Sequence, residues 1–224
     1  MKRVSLSAPH NDWPPQSTPE RLIDAVEGLL DRRDDLDLSL REITTAAGAN
    51  VAAVNYHFGS KDALVTAVIE RALSEHASQQ LLALQAVSAT PNASIEDVVR
   101  AWISPSILTA DDGRAALIPR IAARVVSGGS PELRELGVTT HAETYALVFR
   151  LLADRLPTLS GEELTFRITL AATGVAGMIA GTFDGSAIAG HTFRRDENIL
   201  HRSVGFIVAG LGAPATGAGC RATR

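Results

Sequence analysis

Asn55, Tyr56, His57 and Lys61 place an amide, a phenol, an imidazole and an ammonium group within one short stretch, and Thr44 and Thr45 add two hydroxyls just upstream. These groups can offer hydrogen bonds, and a charge in the case of Lys61, to an external partner. Asparagine can pair bidentately with adenine, and apolar side chains such as Val51, Ala52 and Ala53 can contact thymine methyls.

The elements that must position these residues are legible between Ser39 and Leu64. Ser39 and Glu42 form an S-x-x-E capping box that opens a helix running to Ala47. Gly48 supplies the backbone freedom of a tight helix end, and Ala49 and Asn50 lead into a second helix, Val51 to Tyr56, too short to be stable unless its neighbours brace it. Two helices joined by a short glycine turn match the helix-turn-helix description, in which the second helix lies in the major groove. Taken singly, Tyr56 and Phe58 can be core aromatics, His57 a surface histidine and Lys61 a solvated residue at a helix start. The capping box, turn, short helix and exit run together favour a DNA-reading unit.

The run Asn55 to Leu64, NYHFGSKDAL, with Ala47 and Gly48 at the turn, resembles the TetR family of one-component bacterial transcriptional regulators. The resemblance implies that Tyr56, His57 and Lys61 touch DNA, mostly phosphates, that Thr44 and Thr45 reach the backbone, and that Phe58 plugs the small domain's core. It sets Thr44, Thr45, Asn50, Val51, Ala52, Ala53, Asn55, Tyr56, His57 and Lys61 as the expected DNA-binding set. Asn55 stands where the family most often has a first tyrosine, and Val51-Ala52-Ala53 is apolar where others carry Ser, Lys, Gly or Thr, so an A/T-leaning half-site is expected.

Total charge does not support DNA binding: between Thr18 and Leu64 five basic residues face nine acidic ones. The acids concentrate at Asp24, Glu27, Asp31, Asp34, Asp35 and Asp37, on the first helix and the loop after it, and phosphate contacts from hydroxyls and backbone N–H groups need no net positive charge.

The chain has 224 residues, 46% of them hydrophobic, a net charge of −4 and one cysteine. Cys220 cannot close an internal disulfide and lies in a Gly/Ala-rich tail. No apolar run long enough to span a membrane and no secretory leader pattern is present, so a cytoplasmic location is expected. The histidines at 10, 57, 76, 141, 191 and 201 lack metal-ligand spacing, and no nucleophile elbow or phosphate-binding glycine loop occurs, so neither catalysis nor a cofactor is expected. His76 and His201 read as surface or interface residues.

The periodicity predicts an all-α protein of about nine helices: an N-terminal arm over 1–17, a helix-turn-helix domain over 18–64, a helical bundle over 65–212 and a tail over 213–224. Thr18 caps the first helix ahead of Pro19. The fourth helix runs from Ser60 toward Leu84 and links the two domains mechanically. Later helices are expected over Ser94 to about Leu108, about Arg114 to Val126, Pro131 to Leu156, Glu162 to Asp184 and Asp196 to Leu211.

The last two of these helices carry Gly174, Gly177, Gly181, Gly205 and Ala209, and the resemblance implies that they form a four-helix interface between two copies; an internal packing seam is the alternative. The resemblance also implies a pocket for a small-molecule effector among the middle helices, with Trp102, Ile121, His141, Tyr145, Phe149 and Met178 as candidate lining. Arg120 and Arg124 either hold an acidic head group there or are solvated or paired with acids. The wording FGSKDAL and SPELREL is similar to family members that sense fatty acids or acyl thioesters. Sensing of lipophilic drugs or toxicants is the alternative within the family, and an all-helical enzyme or interaction bundle without DNA function is the alternative outside it. The expected partners are a palindromic double-stranded operator, the effector and a second copy of the chain.

Overall fold

A computed structural model describes residues 17–32, 37–108, 113–128, 130–181, 184–194 and 196–215, with only the backbone at 113–116, 127 and 128. The expected N-terminal arm before Ser17 and the tail with Cys220 lie outside these residues.

Among the described residues the chain forms ten helices and one hairpin of two two-residue strands. Helix α1 spans Thr18–Asp31, α2 Leu40–Ala47, α3 Val51–Phe58 and α4 Lys61–Ser88. The cap of α1 is Ser17, one residue earlier than the sequence suggested: Ser17 N–H donates to Glu20 Oε2 at 2.8 Å and Glu20 N–H donates back to Ser17 Oγ at 3.5 Å. Two adjacent hydroxyls can both serve, and Ser17 prevails because the glutamate needed for the reciprocal bond lies three residues beyond it. The Ser39–Glu42 box forms as expected, with Ser39 N–H donating to Glu42 Oε2 at 2.9 Å. Gly48 ends α2 at φ +56°, a left-handed conformation that disfavours any side chain. Asn50 then starts α3 by accepting the Ala53 N–H on Oδ1 at 2.9 Å.

The bundle continues with α5 (Ile95–Leu108), α6 (Gly113–Gly128), α7 (Pro131–Thr140), α8 (Ala142–Ala153), α9 (Gly161–Ile179) and α10 (Ile199–Gly212). The single helix expected over Pro131 to Leu156 is two, broken at His141. There the backbone leaves helical geometry and the side chain bonds back to the Gly137 carbonyl at 2.9 Å. Helix α9 stops at Ile179, short of the expected Asp184, and Gly181 lies beyond its end at φ +77° instead of within the helix. Strands β1 (Ala187–Ile188) and β2 (His191–Thr192) pair antiparallel across Ala189 and Gly190, both at positive φ. The helix expected from Asp196 begins at Ile199, since Asp196 Oδ1 is engaged in accepting the Asn198 N–H.

Two apolar clusters organise these helices. The first joins Leu22, Val26 and Leu30 of α1, Ile43 of α2, Val54 of α3 and Leu64, Val68 and Ile69 of α4, and Leu117, Ile121 and Val125 of α6 close it. The second holds Leu84, Val98, Trp102, Val148, Leu152, Leu164, Val204 and Ile207. The small N-terminal unit therefore completes its core with a helix of the bundle. Ile121, fully buried in that core, is expected to cost about 2–5 kcal/mol when truncated to alanine. Denaturant unfolding of Ile121→Ala should show this loss, with no change in the helices far from the first cluster.

Candidate nucleic-acid interface and ligand cavity

Helix α3 presents one face outward and one inward. Val54 is fully buried and Ala53 and Phe58 pack against the first cluster, while Val51, Ala52, Asn55, Tyr56 and His57 are exposed. The outward positions 51, 52, 55 and 56 form one stripe at helical spacing. Tyr56 is 85% exposed and sits edge-on to the His57 ring at 4.9 Å. A phenol so open, on a helix braced from behind, is placed for an external partner.

Lys61 begins α4 beside this stripe, with Nζ 3.1 Å from Asp62 and 3.6 Å from Asp37. The bond to Asp62 raises its pKa, so the ammonium stays charged. Asn50 is exposed but uses its oxygen to cap α3. Of the two threonines, Thr45 is exposed, whereas Thr44 is buried and donates its hydroxyl to the Leu40 carbonyl at 2.9 Å. The structure thus gathers Thr45, Val51, Ala52, Asn55, Tyr56, His57 and Lys61 on the surface and turns Thr44 and Ala53 inward.

A second concentration of polar groups lies inside the bundle. A cavity of about 80 Å³ is lined by α4, α5, α6, α7, α8 and α9 and by the junction residue His141. Trp102, His141 and Tyr145 line it as expected. Ile121 lies instead in the first core, Phe149 packs into the second cluster, and Met178 lines a groove between α9 and α10. Arg120 and Arg124 point away from the cavity: Arg120 pairs with Asp31 of α1 at 2.6 Å, and Arg124 donates to the Leu30 carbonyl at 2.8 Å. Their helix spacing suited the cavity equally well, but the α1 terminus offers an acid and unsatisfied carbonyls.

His76 and Gln80, with Ser106, complete the cavity's polar wall, and His76 is buried rather than at the surface. The detectable signal was spacing, because Ile69, Leu73, His76, Gln80 and Leu84 recur along one face of α4. His141 Nδ1–H donates to the Gly137 carbonyl at 2.9 Å, which leaves Nε2 as the acceptor of His76 Nδ1–H at 2.9 Å. His76 Nε2 then accepts the Ser106 hydroxyl at 2.8 Å, and Gln80 Nε2 donates to the Trp102 carbonyl at 2.9 Å. The chain of bonds has one direction when both rings are neutral. Burial, reinforced by His141, drives the His76 pKa down to about 3, and burial lowers His141 too. Among the described residues no cluster of His, Cys, Asp and Glu could hold a metal ion, and no helix is long and apolar enough to cross a membrane.

An outward-facing helix-turn-helix braced by a helical bundle defines the class of helix-turn-helix DNA-binding proteins. Residues 22–68 match the family model for bacterial regulatory proteins of the tetR family, and residues 100–210 match that for the tetracyclin repressor-like C-terminal domain. The chain therefore belongs to the TetR family and is a DNA-binding transcriptional regulator. No curated protein matches it significantly.

Lys61→Ala should weaken binding to operator and to scrambled DNA alike and reduce the salt slope by about one, measured by titration at several salt concentrations. A second expectation follows from His76. Between about pH 6.5 and 3 the unfolded imidazole takes up a proton that the folded one refuses, so stability falls as pH falls. The slope is at most about 1.4 kcal/mol for each pH unit. Comparing unfolding of the native chain and His76→Gln above the carboxylate range should show a flatter profile in the variant.

Proposed function

We infer that the protein acts as a homodimeric repressor, binding a palindromic operator through α3 of each subunit and releasing it when a small molecule occupies the bundle cavity. The observation that carries this reading is the position of α6. One face of that helix supplies Leu117, Ile121 and Val125 to the core of the DNA-binding unit, and Arg120 and Arg124 tie it to α1. The same helix gives Pro119, Ala122, Ala123 and Val126 to the cavity wall. A ligand that changes the separation of these walls moves the helix on which the reading head rests. Helix α4 is a parallel link, since it begins beside the DNA-facing stripe at Lys61 and lines the cavity with Leu73, His76 and Gln80.

The dimer reading is supported by α9 and α10. Phe166, Leu170 and Phe206 are 61%, 62% and 82% exposed on these helices, and Gly174, Gly205 and Ala209 are exposed among them, while Gly177 is buried. Large apolar side chains grouped on one surface mark an association site, and the small residues permit close approach of a second helix pair. Ligand and operator then oppose each other through differential affinity for two states, so a thousandfold loss of operator affinity needs about 4 kcal/mol of coupling.

Leu170→Glu and Phe206→Glu should each separate the subunits in sedimentation while leaving the fold intact. Operator affinity should fall with dimer population. Dimers that persist with native affinity in both variants would overturn this assignment of the interface.

A further inference from the structure

The regulator reading above leaves the chemistry of the effector open, and the cavity wall narrows it. We propose that the cavity takes an uncharged, largely apolar alcohol or phenol, read by Ser106 and Tyr145, and that it rejects carboxylates and phosphates. This differs from the acidic ligand that the arginine pair on α6 suggests in the sequence.

The residues lining the cavity include no Lys, Arg, Asp or Glu. Arg120 and Arg124 are engaged at α1, on the other side of their helix. An anion brought here loses its hydration and meets no countercharge, which is strongly unfavourable. The two histidines do not replace the missing cation. Each ring nitrogen of His76 and His141 is already committed in one directed chain of bonds from Ser106 to Gly137. A proton added at His141 Nε2 would meet the His76 Nδ1–H and force the chain to reverse. That would aim the His76 Nε2–H at Ser106 Oγ and leave the Ser106 hydroxyl proton without the acceptor it now has. The low His76 pKa agrees with this geometry.

The same chain shows what hydrogen bonding remains. Ser106 gives its proton to His76, and its oxygen, with only the long Gln80 contact, keeps acceptor capacity. The Tyr145 ring lies 6.4 Å from Trp102 and 6.2 Å from His141. Its hydroxyl has no hydrogen-bond partner among the described residues, and burial raises its pKa, so it stays a protonated donor. One acceptor and one donor suit a ligand hydroxyl, which needs both. The rest of the wall, including Leu73, Ile103, Ala122, Val126, Val175 and Ile179, is apolar and suits a hydrocarbon body.

Three probes of matched shape test the proposal: cyclohexanol, cyclohexanecarboxylate and methylcyclohexane. The chain has two tryptophans, so Trp13→Phe leaves Trp102, in the cavity wall, as the only indole reporter. Near neutral pH cyclohexanol should change Trp102 fluorescence saturably, and the carboxylate should bind at least about tenfold more weakly. Ser106→Ala and Tyr145→Phe should each weaken cyclohexanol about fivefold to tenfold and leave methylcyclohexane unchanged. Carboxylate binding as tight as the alcohol's, an equal loss for all three probes in the variants, or no saturable response to any probe would overturn the proposal. Operator retention, measured on the same preparation without probe, judges the regulator reading separately: retained binding with a failed probe series condemns only the ligand assignment.

Discussion

Helices of fourteen, eight and eight residues bury too little apolar surface to hold a rigid reading head, and short isolated helices are marginal in water. Here the shortfall is met by packing α6 into the gap between α1 and α4, where Ile121 and Val125 are fully buried against Leu22, Val26 and Leu30. The Arg124 guanidinium completes the joint by satisfying the Leu30 carbonyl, one of the acceptors that a helix end leaves without a partner. Everything that α3 presents to the outside depends on this joint, because a helix of two turns keeps its orientation only while its back is held.

The joint also explains why a head with an excess of acidic residues can serve at a polyanion. Asp31 is drawn toward Arg120, and Glu27 pairs with Arg71 at 3.0 Å, so part of the negative charge on α1 is neutralised by the bundle. Burial raises the Glu27 pKa, which Arg71 opposes. The outward face of α3 carries no acid, and Lys61 stands at its end with its charge secured by Asp62. Placement thus does what net charge does not.

Inside the bundle the limiting consideration is hydrogen-bond satisfaction. Two imidazoles, a hydroxyl and an amide in an apolar interior are tolerable only if every buried donor and acceptor is met, and among the described residues no side-chain nitrogen or oxygen wholly shut off from solvent lacks a partner. The requirement reaches the backbone: the helix written continuously from Pro131 in sequence breaks at His141, where the ring bonds both the Gly137 carbonyl and His76. A polar contact between helices distant in sequence has displaced a local preference.

The sequence by itself determined the elements whose signals are local. The Ser39–Glu42 box, the left-handed Gly48, the start of α3 at Val51 and the apolar stripe of α4 follow from side chains within a few residues of one another. So does the all-α class, and the exit run of α3 carried the family resemblance. The tertiary structure decided the matters that depend on which of two compatible surfaces a side chain meets. Arg120 and Arg124 suited a ligand head group until α1 offered them an acid and a carbonyl. His76 read as a surface or interface residue although its spacing on α4 marks a buried face, and a single histidine on a helix gives no sign of the partner sixty-five positions away. Thr44 turned its hydroxyl into its own helix once Ile43 and Ala47 were buried beside it. Periodicity registers how a helix repeats but not what it packs against, and the chemistry of both the head and the cavity is set by packing.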